Sequence, residues 1–183
     1  MGFAKKLLPL LGVVVWFGTA RLRAQEEETP AQKQYREDYE QYQKVLAIRE
    51  PLKRADELLQ FLKDRPKSQL DPNIRHDYLQ IVQDLSNQSK WDAVVTQAER
   101  FTKVRPKTGE AYYFLGAALK EQNKLPDAMD ALAKCYVLKC GVSERARQFL
   151  EVIYKGTHNG KTTGLDALIQ KAKAEVGDQR QKP

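Results

Sequence analysis

The chain has 183 residues, 31 of them Lys or Arg and 24 Asp or Glu, and 42% are hydrophobic. That length holds one ordinary domain with a continuous core and leaves no room for a separate cofactor module. A charged fraction of 30% argues against a polytopic membrane protein, the apolar fraction against wholesale disorder, and two Cys against a disulfide-stapled miniprotein.

The first segment differs from the rest. Lys5 and Lys6 precede an apolar run from Leu7 to Phe17, broken only by Pro9 and Gly12, and the small residues Gly18, Thr19 and Ala20 follow. This is the build of a secretory signal peptide, and the run is shorter than the roughly 20 residues that cross a bilayer. Residues 1–24 are therefore expected to direct export, with cleavage after Ala20 or Ala24. Arg21 and Arg23 oppose translocation, so an uncleaved anchor at the outer face of the cytoplasmic membrane is the alternative. The expected location is periplasmic or secreted. Removing the segment takes away four basic residues and no acid, leaving 27 basic against 24 acidic, net +3. A surface of mixed sign lacks the basic stripe that phosphate neutralisation needs, so nucleic acid is not an expected partner. Residues 25–34 are polar and acidic and read as a flexible leader; residues 177–183 read as a flexible tail.

Between these ends the pattern is helical. Tyr39, Tyr42, Leu46 and Ala47 recur near helical spacing between Tyr35 and Arg49. Pro51 opens a helix carrying Leu52, Ala55, Leu58, Leu59 and Leu62, which stops before Pro66. Asp71-Pro72 predicts a further start, with Asp71 as cap and Pro72 in the first turn. No stretch alternates with period two long enough for a sheet.

Self-comparison at an offset of 34 residues places Tyr78 on Tyr112, Ile81 on Leu115, Leu85 on Leu119, Trp91 on Leu125, Val94 on Ala128 and Ala98 on Leu132. In residues 109–142 the pattern runs Tyr112-x2-Leu115-Gly116-x2-Leu119, then Ala128, Leu132 and a breaker position held by Cys140. Residues 109–142 resemble a tetratricopeptide repeat (TPR). Residues 75–108 resemble a second, with Pro106 at the breaker position. Gly116 and Ala128 are expected where the paired helices approach most closely, with Tyr112, Leu115 and Leu119 meeting Ala128, Leu132 and Cys135. Val82 and Val94 replace the small pair in the earlier unit, whose helices should sit further apart. Divergent units are expected at 35–66 and 143–176, since terminal repeats face water. In the last, Ser143 caps a helix carrying Ala146, Phe149, Leu150 and Ile153, and a Gly-rich connection leads to Leu165, Leu168, Ile169, Ala172 and Val176. The expected fold is all-α, a right-handed superhelical solenoid of antiparallel helix pairs; a plain helical bundle has no reason to keep the period.

Catalytic chemistry finds little material. Gly156-Thr157-His158-Asn159-Gly160-Lys161-Thr162 has three residues between its glycines where a phosphate-binding P-loop needs four, and helix rather than strand precedes it. No nucleotide or other cofactor is expected. His76 and His158 lack a nucleophile or paired carboxylates, so neither catalysis nor metal binding is expected. Cys135 and Cys140 are five apart, too far and differently directed on a continuous helix, although Cys140 sits where the helix ends and fraying there would let them pair in an oxidising compartment.

The expected work is recognition. The resemblance implies a concave groove lined by the first helix of each pair: His76, Leu79, Gln83, Ser86 and Asn87, then Glu110, Tyr113, Ala117, Lys120 and Glu121, then Glu144, Arg147, Glu151, Tyr154 and Lys155. Leu79, Gln83, Tyr113 and Ala117 stand where chaperone-binding members of the family carry Lys and Asn to hold a C-terminal carboxylate, which argues against that partner. The sequence therefore predicts a non-catalytic scaffold of the cell envelope that binds a peptide or protein. The alternative is a membrane-anchored component of an envelope assembly complex, and an enzyme with an unrecognised site comes last.

Overall fold

Capping chemistry sets the helix boundaries. The computed structural model describes residues 28–178, which form eight helices and no strand: α1 (Pro30–Leu46), α2 (Pro51–Asp64), α3 (Asp71–Asn87), α4 (Trp91–Val104), α5 (Gly109–Glu121), α6 (Leu125–Val137), α7 (Ser143–Thr157) and α8 (Leu165–Asp178). The domain is all-α over these residues. The signal segment at 1–24 lies outside them, as do residues 179–183. The expected leader is corrected in part: Thr29 accepts from the Gln32 N–H while the Gln32 side chain accepts from the Thr29 N–H, a reciprocal capping box that starts α1 at Pro30. At the other end α8 reaches Asp178, one residue past the predicted tail start.

Two predicted caps are also corrected. Leu70, not Asp71, is the N-cap of α3; Asp71 instead directs its carboxylate to Arg75 and Arg105, each at 2.6 Å. Val142 is the N-cap of α7, and the Ser143 hydroxyl donates backward to the Cys135 carbonyl.

Equivalent turns repeat. Ser89, Asn123 and Asn159 adopt left-handed backbone (φ 55, 57 and 51°), and the next N–H in each case bonds a carbonyl five residues back, Leu85, Leu119 and Lys155, at 2.8–3.0 Å. This bond closes α3, α5 and α7 alike. A second repeat runs at a spacing of 40: Phe61-Leu-Lys-Asp-Arg65-Pro66-Lys-Ser68 and Phe101-Thr-Lys-Val-Arg105-Pro106-Lys-Thr108. Proline disfavours helical backbone at the residue before it, and Arg65 and Arg105 end α2 and α4 with matching geometry (φ −128 and −130°) and an N–H to Phe61 or Phe101. Each arginine then reaches back. Arg65 pairs with Asp38 on α1, and Arg105 bonds Asp71 on α3 and the Leu62 carbonyl of the preceding pair at 2.9 Å.

Packing joins neighbours in chain order. From α1 to α7 each helix rests on the next, α2 reaches α4 and α3 reaches α5, while α8 seats on α6 rather than on α7. Polar ties follow the same steps, with Tyr42 of α1 on Asp77 of α3, Arg100 of α4 on Asp56 of α2 at 2.5 Å, and Lys134 of α6 on Glu175 of α8 at 2.7 Å. One apolar cluster fills α1–α4 and takes in Ala111 and Ala118 of α5; the other fills α5–α8 and takes in Ala98 of α4. These small side chains, all fully buried, let α4 and α5 close on one another. Within the third pair a Cβ at Gly116 would lie 2.7 Å from Leu132 Cγ and 3.1 Å from the Ala128 carbonyl oxygen. That is the close approach the sequence predicts. With Val82 and Val94 fully buried instead, α3 and α4 approach over a shorter stretch than α5 and α6.

The Asp38 carboxylate is the most deeply buried acid of the domain. Burial pushes its carboxyl up, but hydrogen bonds from Ser68, Arg65 and Gln34 outweigh this and hold it below the ordinary range. A group depressed in this way contributes stability that is present above its unfolded pKa of about 4 and is lost as pH falls through its folded value. Arg65 keeps a third of its side chain in water, which screens the pair. Asp38→Asn is therefore expected to cost about 1–3 kcal/mol at neutral pH. In urea melts its gap from the wild-type chain should narrow below about pH 4. An equal gap at pH 3 and pH 7 would show that the charge is not its source.

Candidate functional site

The first helices of the second and third pairs bound an open groove of about 630 Å3. Pro72, Arg75, His76, Leu79, Gln80, Gln83, Ser86 and Asn87 of α3 form one wall, and Glu110, Tyr113, Phe114 and Ala117 of α5 the other. Thr108, the N-cap of α5, and Val142 and Arg145 at the start of α7 close it. A helix wall arises because α3 and α5 each bury one stripe, Ile74, Tyr78, Ile81 and Leu85 or Tyr112, Leu115 and Leu119, against their own pair. That leaves residues one position further round on the groove side.

The floor is apolar and the rim polar. Leu79, Tyr113, Phe114 and Ala117 are half-buried, while His76, Gln83 and Asn87 are exposed. Tyr113 and Phe114 meet edge to face with centroids 6.1 Å apart, giving a rigid aromatic ledge. Asp71 holds Arg75 in place. Among the described residues, His76, Gln83, Asn87, Glu110, Tyr113 and Arg145 form no side-chain hydrogen bond or ion pair, so their donors and acceptors face solvent. Two arginines against one glutamate leave the lining with a positive excess. Such a trough, apolar below with polar groups above, suits a chain segment laid along it better than an enclosed small molecule.

Eight of the sequence-predicted positions line this groove: His76, Leu79, Gln83, Ser86, Asn87, Glu110, Tyr113 and Ala117. The others do not. Lys120 and Glu121 lie past its end and pair with each other at 2.8 Å. Arg147 stacks its guanidinium over the Tyr136 ring of α6 at 5.3 Å. Glu151 pairs with Lys155 at 2.6 Å, which holds the Glu151 carboxyl below the usual range. Glu144 borders a different hollow beside Cys140. Tyr154 is buried; its hydroxyl donates to the Thr163 carbonyl at 2.7 Å and its ring stacks on His158. It fastens the α7–α8 connection, where Gly164 at φ 98° leaves space for its hydroxyl.

The register fails in α7 because that helix seats chiefly on α6 rather than on α5. Arg145 and Val152, which align with the buried Ala111 and Ala118 of α5, are consequently exposed, Val152 at 68%. Reasoning from the sequence missed Pro72, Arg75, Gln80, Thr108, Phe114, Val142 and Arg145. Arg75 and Phe114 each stand next to a predicted groove residue, so a wider helical face would have taken them in. No signal in the sequence announces the turn of α7. In the Gly156–Thr162 segment, Gly160 at φ 78° donates its N–H to Lys155, closing a helix.

Compared with known protein families, curated proteins and solved structures, the chain matches none.

Proposed function

We propose that this chain is a non-catalytic scaffold that holds a segment of a partner protein in the groove between α3 and α5. One observation carries the reading. Positions fixed by a 34-residue register in the sequence, from His76 to Asn87 and from Glu110 to Ala117, line one continuous trough. The main packing lies between helices near in the chain, which supports an open solenoid, read with the 34-residue period as a right-handed superhelix of TPR type, because a closed bundle would also join its first and last helices. The partner segment seats an apolar side chain on the Tyr113–Phe114 ledge, meets the amides of Gln83 and Asn87, and offers acidic groups to Arg75 and Arg145. The apolar run Leu7–Phe17 after Lys5 and Lys6 supports export to the cell envelope. Retention of that run would make the same scaffold a membrane-anchored component, and N-terminal sequencing of the product separates the two forms.

Tyr113→Ala tests the groove. Loss of a half-buried aromatic anchor is expected to weaken partner binding by 10-fold or more, about 2 kcal/mol. A co-purifying partner should be lost with Tyr113→Ala and kept with Thr96→Ala, on the exposed face of α4. Equal retention by both variants would contradict the proposal.

A further inference from the structure

Two thiols that the groove does not use lie together at the joint between α6 and α7. On a continuous helix Cys135 and Cys140 would point apart, but α6 ends at Val137. Lys139 then takes left-handed backbone (φ 52°) and its N–H bonds the Tyr136 carbonyl. The chain folds back on the helix end, and the two Sγ atoms come within 3.7 Å. We propose that Cys135 and Cys140 form a reactive dithiol that closes to an intrachain disulfide by exchange with a small organic disulfide.

The surroundings hold this pair in place and open it on one side. Cys140 rests on the first residue of α5: a Cβ at Gly109 would lie 2.7 Å from its sulfur and 3.0 Å from its Cβ. Backing of that kind keeps the Cys140 side chain turned toward Cys135. The Ser143 hydroxyl, which donates to the Cys135 carbonyl, lies 3.7 Å from Cys140 Sγ. Cys140 is partly exposed at a hollow of about 550 Å3 bounded by Tyr136, Lys139, Glu144 and, on α8, Ile169 and Lys173. A reagent reaches it there. Cys135 is fully buried, and burial, reinforced by the neighbouring Cys140, pushes its thiol above the ordinary range. It therefore reacts second, after the reagent has been brought to it. A sulfur–sulfur bond of about 2 Å needs the atoms to close by about 1.7 Å, which rotation of the two side chains and a small shift of the turn after Val137 supply.

The exchange balances in two steps. The Cys140 thiolate attacks one sulfur of RS–SR; that bond breaks, and RS− leaves and takes up the proton Cys140 released. The Cys135 sulfur then attacks Cys140 Sγ in the mixed disulfide. The Cys140–SR bond breaks, and the second RS− leaves with the proton from Cys135. Two cysteines are oxidised to one disulfide, and RS–SR is reduced to two RSH. The bond pins the turn that carries Val142 and Arg145 to the groove, although its formation does not depend on what the groove binds.

The full chain incubated with oxidised glutathione, quenched with acid, alkylated and mapped by mass spectrometry tests this directly. The expected product is a monomer that has lost two hydrogens, takes up no alkylating reagent and yields one cross-linked peptide joining Cys135 to Cys140, all reversed by dithiothreitol. Cys135→Ser should stop at the first step and keep glutathione on Cys140. The proposal is overturned if the wild-type chain instead retains glutathione at Cys140 with Cys135 still free, dimerises through Cys140, or keeps both thiols. Should Cys135→Ser not fold, the wild-type map alone decides between these products.

Discussion

Phe101→Ala is expected to lower the unfolding free energy by about 3–5 kcal/mol, the cost of emptying a fully buried aromatic site. No part of the Phe101 ring reaches solvent, and it packs on Tyr78 with centroids 4.7 Å apart. The Tyr78 hydroxyl in turn donates to Gln97, both to its side chain at 2.7 Å and to its carbonyl at 3.0 Å. A cavity beside the tyrosine therefore loosens both helices of the second pair at once. Against a typical stability of about 5–15 kcal/mol, thermal melting should fall by roughly 10 °C. Phe61 holds the matching place in the first pair but keeps 5% of its surface exposed, against none for Phe101, and lies under the Arg65 guanidinium. Phe61→Ala should cost about 1–2 kcal/mol less than Phe101→Ala, because water and the arginine stem can fill part of the space. Equal losses from the two would mean that burial depth does not separate the first pair from the second.

Gly116→Leu is expected to destabilise by about 1–3 kcal/mol through overpacking. The first carbon added already meets Leu132 at 2.7 Å, and behind it stands the Ala128 carbonyl, backbone that cannot swing aside. α5 and α6 must then separate along their whole contact. Gly156 in α7 is the matched control: it is helical, and a Cβ there meets nothing within 4 Å. Replacing it with Ala should be neutral or stabilise by up to about 1 kcal/mol, since glycine costs that much inside a helix. Chemical denaturation of the pair of variants separates close approach from helix propensity. Unchanged stability in Gly116→Leu would contradict the packing of the third pair.

Much of this fold was legible because the residues that write it act locally. Pro51 and the stop before Pro66 bound α2 as the sequence predicts, and the small residue at 116 marks the tightest helix contact. What escaped depends on distance. Asp71 looks like a cap, but its charge is claimed by Arg105, 34 residues away. Cys140 looks remote from Cys135 until the helix end is known. The repeat Phe61–Ser68 and Phe101–Thr108 is hidden from a 34-residue comparison because α3, with 17 residues against 13 in α5, and the connection before it are longer than their counterparts in the next pair, which moves it to a spacing of 40. The groove was legible on α3 and α5, where the two helices pack in register, and not on α7, whose rotation depends on how it seats on α6.

A photoreactive side chain placed at Ala117 tests groove recognition most directly, with the same group at Thr96 as the outward-facing reference. In cells expressing the full chain, irradiation should join Ala117 to one protein partner, and the adduct should vanish when Tyr113→Ala is added, while Thr96 gives no adduct of that mass. An adduct formed equally from Thr96, or one that survives Tyr113→Ala undiminished, would place recognition elsewhere on the molecule.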